Sequence, residues 1–439
     1  MYTSYIGKKF LKIYNEKMHT DISAEEFFDR IFFNLFFNDE RHLIHVSNSP
    51  FFQKPKEEDV KKYGSKPLAQ YNNLKVAIAS DEPNMSIFVG YAAKDMAGTT
   101  SGQISGMQTS IDTDEMYASW IGEALAIGIS GGFAILLDEP EILWQLFRGW
   151  EYYRKYLNQT PDVKDKQIET WNGHWLSHWC RKLYTDLTPD KGFYIVPAES
   201  MGNLAIPTKP WLEIIMALSK KYPQKVITAY SYNLSQTNTT LGFINLYLPE
   251  VHSLFDFRDK LFFNGKQSIL SDEEIESFNT YYNFKSACKL GTIGLKAIEP
   301  DKLRQYFPIG SMPYAQGKEY KFNNEESYIN YELYKIWIIA MINKTELLEL
   351  ATAVAKALIE FERTAEKGKT VYSNLSKETR KSNKIEVFGQ KLKEIMEYES
   401  SDNEVFRKAF VEAYYIPKDS FPLFMTLIDF EYTYWKSKN

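Results

Sequence analysis

The stretch KVITAYSYNLSQTNTTLGFINLYLP (residues 225–249) sets two runs of β-branched, aromatic and aliphatic residues around a polar segment of Asn, Ser, Gln and Thr. KVITAYSY and LGFINLYLP have the composition of strands, and the segment between them has that of a hairpin loop. Runs of the same kind lie upstream at SIFVGYAA (86–93), GFAILL (132–137) and GFYIVPA (192–198), alternating with helical segments such as PEILWQLFRGWEYYRKYL (140–157). From about Leu74 to Tyr247 the chain is therefore expected to mix helix and strand.

Beyond about Ser327 only helical patterns remain: YINYELYKIWIIAMI, TELLELATAVAKALIEFERTAEK, IEVFGQKLKEIMEYE, NEVFRKAFVEAYY and SFPLFMTLIDFEYTYW. Leu347, Leu350, Val354, Leu358 and Phe361 recur every three or four residues, which places them on one helical face. The expected fold is α+β, a mixed α/β region over residues 1–326 followed by a helical bundle over 327–439. Bundle loops are expected to be short at Ser401, Asp402 and Pro417 and longer around Gly368 to Ser382. Capping boxes at Ser23/Glu26, Ser271/Glu274 and Ser401/Glu404 mark helix starts, because each Ser can accept from the backbone three residues on while the Glu returns the bond. KPKEEDVKKYGSKP (54–67) is charged and turn-rich and reads as a solvated connection. WIGEALAIGISGGFAILL (120–137) carries Glu123 and several glycines and is closed by Asp138 and Glu139, so it reads as a buried helix running into a buried strand and not as a membrane span.

The 439 residues carry a formal net charge of −5, which argues against a uniformly basic nucleic-acid binder and makes any phosphate-binding surface regional. Two cysteines, Cys180 and Cys288, stand far apart in no CxxC pattern, so neither a disulfide framework nor a Cys-based zinc site is written here. That usage fits a reducing cytoplasm, and the N-terminal MYTSYIGKKFLKIYNEK lacks the apolar core of a secretory signal. Aromatic residues make up 15% of the chain, enough for a large aromatic core or for a surface on which bases stack.

HWLSHW places His174 and His178 one helical turn apart, a spacing that suits two imidazoles on one metal, but Trp175 occupies the position where a zincin has Glu. Trp171, Trp175 and Trp179 recur every four residues, and a core-packing aromatic stripe is the simpler account of that helix. His42 and His45 have no third ligand nearby and read as structural. Pro300 and Asp301 followed by Glu319, Tyr320 and Lys321 match a PD…ExK nuclease pattern, in which Asp301 and Glu319 would hold Mg²⁺ and Lys321 would steady the attacking water. Its flanks are not the apolar strands that such carboxylates need. No P-loop, dinucleotide fingerprint or nucleophile elbow is present, and the preferred reading has no catalytic residue, metal or cofactor.

What remain are polar loops and one basic run. AGTTSGQISGMQTS (97–110) offers Thr99, Thr100, Ser101, Gln103 and Gln108 as hydrogen-bonding groups, on a backbone whose glycines allow close approach to a nucleic acid. Gln236, Asn238 and Thr239, with Thr240, form a second such set, and Asn and Gln amides suit base edges. Lys377, Arg380, Lys381 and Lys384 belong to a basic run that would supply local positive field for phosphates, against the alternative of a solvated face.

This plan of a mixed N-terminal region with polar loops and a C-terminal bundle with a basic run resembles the large subunit of type I CRISPR interference complexes (Cascade). The likeness is carried by SYNLSQTNTTLGFINLYLP (231–249) and KIEVFGQKLKEIMEYESSDNEVFRKAFVEAYYIP (384–417), and it spans most of the chain in plan. Some members of that family carry paired CxxC zinc ligands, and this chain corresponds to a variant without them. The resemblance implies a non-catalytic, cytoplasmic subunit that sits beside the 5′ end of a guide RNA, reads the protospacer-adjacent motif in duplex DNA and helps to open the target. Its implied partners are guide RNA, target DNA, the other subunits of the complex and a helicase-nuclease recruited after target binding, with no membrane. Two other classes are a metal-dependent nuclease built on Asp301, Glu319 and Lys321, and a structural assembly protein that docks through aromatic surface.

Overall fold

A computed structural model of the chain describes residues 1–46, 48–91, 111–262, 270–364, 370–398 and 402–438. The fold is α+β, and its contacts divide into two units, Met1–Leu248 with Phe284–Ile293, and Pro249–Asn283 with Gly294–Asn439. The sequence boundary at 326/327 falls inside the second unit, within a helix that runs Glu325–Ile342.

The first unit begins with α1 (Tyr2–Met18). A continuous helical run follows, made of α2 (Ala24–Phe27), a π-helical turn Phe28–Phe32 and α3 (Phe33–Phe36). Ser23 and Glu26 form the expected capping box at its start. Then come α4 (Glu57–Tyr63), α5 (Lys66–Ser80), α6 (Thr113–Ala124), α7 (Pro140–Gln159), α8 (Ile168–Trp179) and α9 (Trp211–Lys221). Contrary to expectation, residues 54–67 contain a helix, α4, but one with no buried residue. The SIFVGYAA run is not a strand over its described part. Ile87, Phe88 and Val89 form a buried turn, held because Trp120 Nε1 donates to Ile87 O (3.0 Å) and Val89 N–H donates to Ser119 Oγ (2.9 Å).

The sheet contains β1 (Ile127–Ile129), β2 (Phe133–Leu137), β5 (Val226–Asn233), β6 (Gln236–Tyr247) and the short β7 (Thr292–Ile293) in the order β1-β2-β5-β6-β7. All neighbours are antiparallel except β6 and β7. The two runs of residues 225–249 are thus adjacent strands, as their composition predicts. GFYIVPA supplies only the start of a separate hairpin, β3 (Ala198–Ser200) with β4 (Asn203–Ala205). Cross-strand register puts Gly128, Ala134 and Tyr232 in one row and Leu136, Tyr230 and Phe243 in the next, all on one sheet face.

Two close backbone approaches fix helices around the sheet. A Cβ on Gly7 of α1 would collide with the Ala118 carbonyl oxygen of α6, and one on Gly122 of α6 would collide with Thr3 O. The tryptophan stripe of α8 is core, with Trp171, Trp175 and Trp179 at most 3% exposed. Trp171 Nε1 donates to Gly149 O (3.0 Å) and Trp175 Nε1 to Gln145 O (2.8 Å), which lock α8 to α7.

In the second unit lie α10 (Leu248–Phe262, which leaves the first unit at its start) and α11 (Asp272–Glu276), while α12 (Phe284–Cys288) belongs to the first. The Ser271/Glu274 capping box begins α11. The bundle is α13 (Glu325–Ile342), α14 (Glu346–Arg363), α15 (Thr370–Arg380), α16 (Ile385–Met396), α17 (Asn403–Tyr415) and α18 (Phe421–Lys438). The long loop expected around Gly368 to Ser382 is helix from Thr370 to Arg380. Ser401 lies outside the described residues. Leu347, Leu350, Val354, Leu358 and Phe361 form the buried face of α14, and α18 is buried without interruption from Phe421 to Tyr432.

Candidate nucleic-acid interface

The sheet face that carries Tyr232 is covered at its β1 end and bare at its β5–β6 end. Along β5, Val226 and Thr228 are exposed and Tyr230 is half-buried, while Ile227 and Ala229 turn into the core. Along β6, Phe243, Asn245 and Tyr247 are exposed, while Ile244 and Leu246 are buried. This alternation has period two, as a strand demands. The bare face is a ladder of three cross-strand pairs, Val226 with Tyr247, Thr228 with Asn245, and Tyr230 with Phe243. Phe243 is 63% exposed, Val226 50% and Tyr247 39%.

At one end the first turn of α1 extends the aromatic surface. The Tyr2 ring lies 4.8 Å from that of Tyr230 and 5.1 Å from that of Phe243, and Tyr5 stacks on Tyr2 at 5.5 Å. Tyr230 and Phe243 meet edge to face at 5.1 Å. Phe243 and Tyr247 stand four residues apart on one strand, about 13 Å. Between them the Thr228 hydroxyl donates to Asn245 Oδ1 (3.3 Å), so the Asn245 amide hydrogens have no acceptor among the described residues.

The acidic residues at the margin are neutralised. Asp138 is paired with Lys9 and accepts from the Tyr5 hydroxyl (3.0 Å), a bond that holds the Tyr5 phenol above its ordinary range. Glu139 is paired with Lys225 at 2.9 Å, and Lys225 also lies over the Tyr222 ring. Chemically, the face offers ring surfaces for stacking and an amide for hydrogen bonding.

Gly242, between Leu241 and Phe243, has φ +95° at an irregularity in the β5–β6 register. Gly242 N–H donates to Thr240 Oγ1 (2.7 Å), and Thr240 Oγ1 donates to Ser231 O (3.0 Å). This bulge lets the hairpin end of β6 depart from the regular ladder. Gln236, Asn238 and Thr239 lie on that end of β6, beyond the bulge from Phe243, and Thr239 is half-buried. Thr99, Thr100, Ser101, Gln103 and Gln108 lie outside the described residues.

The basic run of the second unit divides. Lys377 and Lys384 are exposed, and Lys377 is within 3.9 Å of Glu319. Arg380 is 4% exposed, pairs with the buried Asp429 and lies 3.6 Å over the Tyr432 ring. Lys381 reaches the same carboxylate at 2.6 Å and donates to Lys318 O. Arg380 and Lys381 therefore help to hold the bundle together in this conformation, through Asp429.

Asp301 lies in a turn where its carboxylate accepts from Lys302 N–H (2.9 Å), and Glu319 and Lys321 lie on an exposed stretch without helix or strand. His174 and His178 face different carbonyls, Pro207 O at 2.7 Å and Pro189 O at 2.9 Å, and burial lowers the pKa of both. Among the described residues no group of three His, Cys, Asp or Glu side chains is placed to hold a metal ion. None of their helices is long and apolar enough to cross a membrane.

Sequence reasoning had singled out the hairpin loop but missed the aromatic row beside it. The signal was present in FINLY, whose alternate residues Phe243, Asn245 and Tyr247 share a face, but nothing in the sequence says which strands stay uncovered. No protein-family model, curated protein or solved structure matches the chain.

Proposed function

We propose that this chain is a non-catalytic nucleic-acid-binding protein, the large subunit of a type I CRISPR interference complex, in which the bare β5–β6 face takes unpaired bases. The observation that carries the reading is the sheet face that presents exposed Phe243 and Tyr247 beside half-buried Tyr230, on a sheet whose opposite face is core. A contiguous exposed aromatic surface on a strand pair marks a binding site, and unstacked bases are the ligand whose flat faces match it.

In this role protein loops read a short motif in duplex DNA while base pairing with a guide RNA reads the rest. The segment 97–110 and the hairpin end of β6 supply the hydrogen-bonding groups, and Lys377 and Lys384 are the exposed members of the basic run available to phosphates. Target DNA, guide RNA, the companion subunits and a recruited helicase-nuclease are the proposed partners, in the cytoplasm.

The test is to purify the tagged full chain from its native cells under mild salt and to sequence the RNA that accompanies it. Short RNAs with a common repeat-derived end and variable spacer sequence are expected. Purification without RNA, or with unselected cellular RNA, would refute the assignment.

A further inference from the structure

The covered end of the same sheet face holds two carboxylates with no cation beside them among the described residues. Glu123 on α6 is 1% exposed and Glu169 on α8 is 6% exposed. Glu169 packs on the small-residue row Gly128–Ala134, where a Cβ on Gly128 would lie 3.4 Å from Glu169 Cβ, and its carboxyl feels the charge of Glu123. From the same row on β5, the Tyr232 hydroxyl donates to Glu123 Oε2 at 2.7 Å. One turn beyond Glu169, Asn172 donates to Ala124 O and Ala126 O, both at 2.8 Å, which leaves its buried Oδ1 without a partner. Among the described residues the cluster therefore holds more acceptors than donors.

Among the described residues the surroundings supply no charge to compensate. Tyr232 from β5 donates to Glu123, and the Tyr153 hydroxyl from α7 accepts from Gln167 N–H, two residues before Glu169. The nearest turns of β1 and β2 present Gly128 and Ala134, and α1 meets α6 through the backbone of Thr3 and Gly7. On the α9 side, Lys209 and Glu213 are paired with each other and act on His174.

We propose that Glu123 and Glu169 form a proton-holding pair, with at least one carboxyl protonated at neutral pH, so that the first unit loses stability as pH rises from the ordinary glutamate range until the pair has lost its last proton. Two buried carboxylates without a cation cannot both ionise cheaply. Burial raises both groups well above the ordinary glutamate value, and the Glu123 charge adds to the rise at Glu169. In the unfolded chain both ionise near the ordinary glutamate value. From that value up to the raised native range the folded state therefore binds more protons, and stability falls as pH rises.

The experiment is a pH series of urea unfolding on the full chain, followed by tryptophan fluorescence. Seven of the nine tryptophans lie in Met1–Leu248, so the signal reports mainly the first unit. The folding equilibrium constant is expected to fall by about tenfold per pH unit for each proton released, and Glu169→Gln is expected to flatten that limb. Because the variant could fail to fold, infrared spectra of the wild-type chain give a second readout. A protonated-carboxyl stretch present at neutral pH and lost at high pH is expected. Absence of that band at neutral pH, or the same fall of stability with rising pH in folded Glu169→Gln, would overturn the proposal.

Discussion

Arg380 shows how a residue's role depends on what stands opposite it. In sequence it belongs to a basic run, but its partner Asp429 is far along the chain and only the packing of α15 against α18 joins them. Removing one member of a buried pair leaves the other uncompensated, so Asp429→Ala is expected to cost about 3–5 kcal/mol in urea unfolding. Lys377→Gln and Lys384→Gln, at exposed positions, are expected to stay within about 0.5 kcal/mol. His42 makes the complementary case for pH. Burial, reinforced by Lys166, pushes its imidazole down to about 4. The unfolded chain therefore takes up that proton first, and stability is lost as pH falls from about 6.5 towards 4. Replacing His42 with Gln is expected to flatten this acid limb by up to about 3 kcal/mol, as read from unfolding midpoints across the range. The tryptophan stripe of α8 was legible because its spacing alone defines a face, whereas the partners of Arg380, Glu123 and Glu169 were not, because charge pairing is settled by tertiary contact.

At the scale of elements, the strands of residues 225–249 and the bundle helices could be read from periodicity, since each buries one side. SIFVGYAA misled because three consecutive apolar residues fit a buried turn as well as a strand, and the hydrogen bonds from Trp120 and to Ser119 decide between them. The helix α4 was hidden because it buries nothing, leaving no apolar stripe to detect. Gly7 and Gly122 carry information that spacing could not show, namely that α1 and α6 touch backbone to backbone. Gly122→Ala and Gly7→Ala are each expected to destabilise the first unit by about 3 kcal/mol or more, at the upper end for overpacking, because a carbonyl cannot swing aside as a side chain can. Thermal unfolding followed by tryptophan fluorescence measures this, and a shift of only a degree or two would mean that the helices can separate at little cost.

Over the whole molecule, the order of strand-like and helical runs predicts an α+β fold with helix alone towards the C-terminus, and the fold observed is α+β with a C-terminal helical stretch. The contacts nevertheless assign residues 249–283 and 294–326 to the same unit as the bundle. Such a division is invisible to local pattern, because it depends on which distant segments pack together. Base stacking on the bare sheet face is tested most directly by fluorescence anisotropy of a labelled single-stranded oligonucleotide titrated with the full chain and with its Phe243→Ala variant. Loss of one stacking ring is expected to weaken binding by about 5- to 100-fold, while the salt dependence stays the same because no phosphate contact is removed. Equal affinity of the two proteins, or no binding by the wild-type chain, would contradict the account.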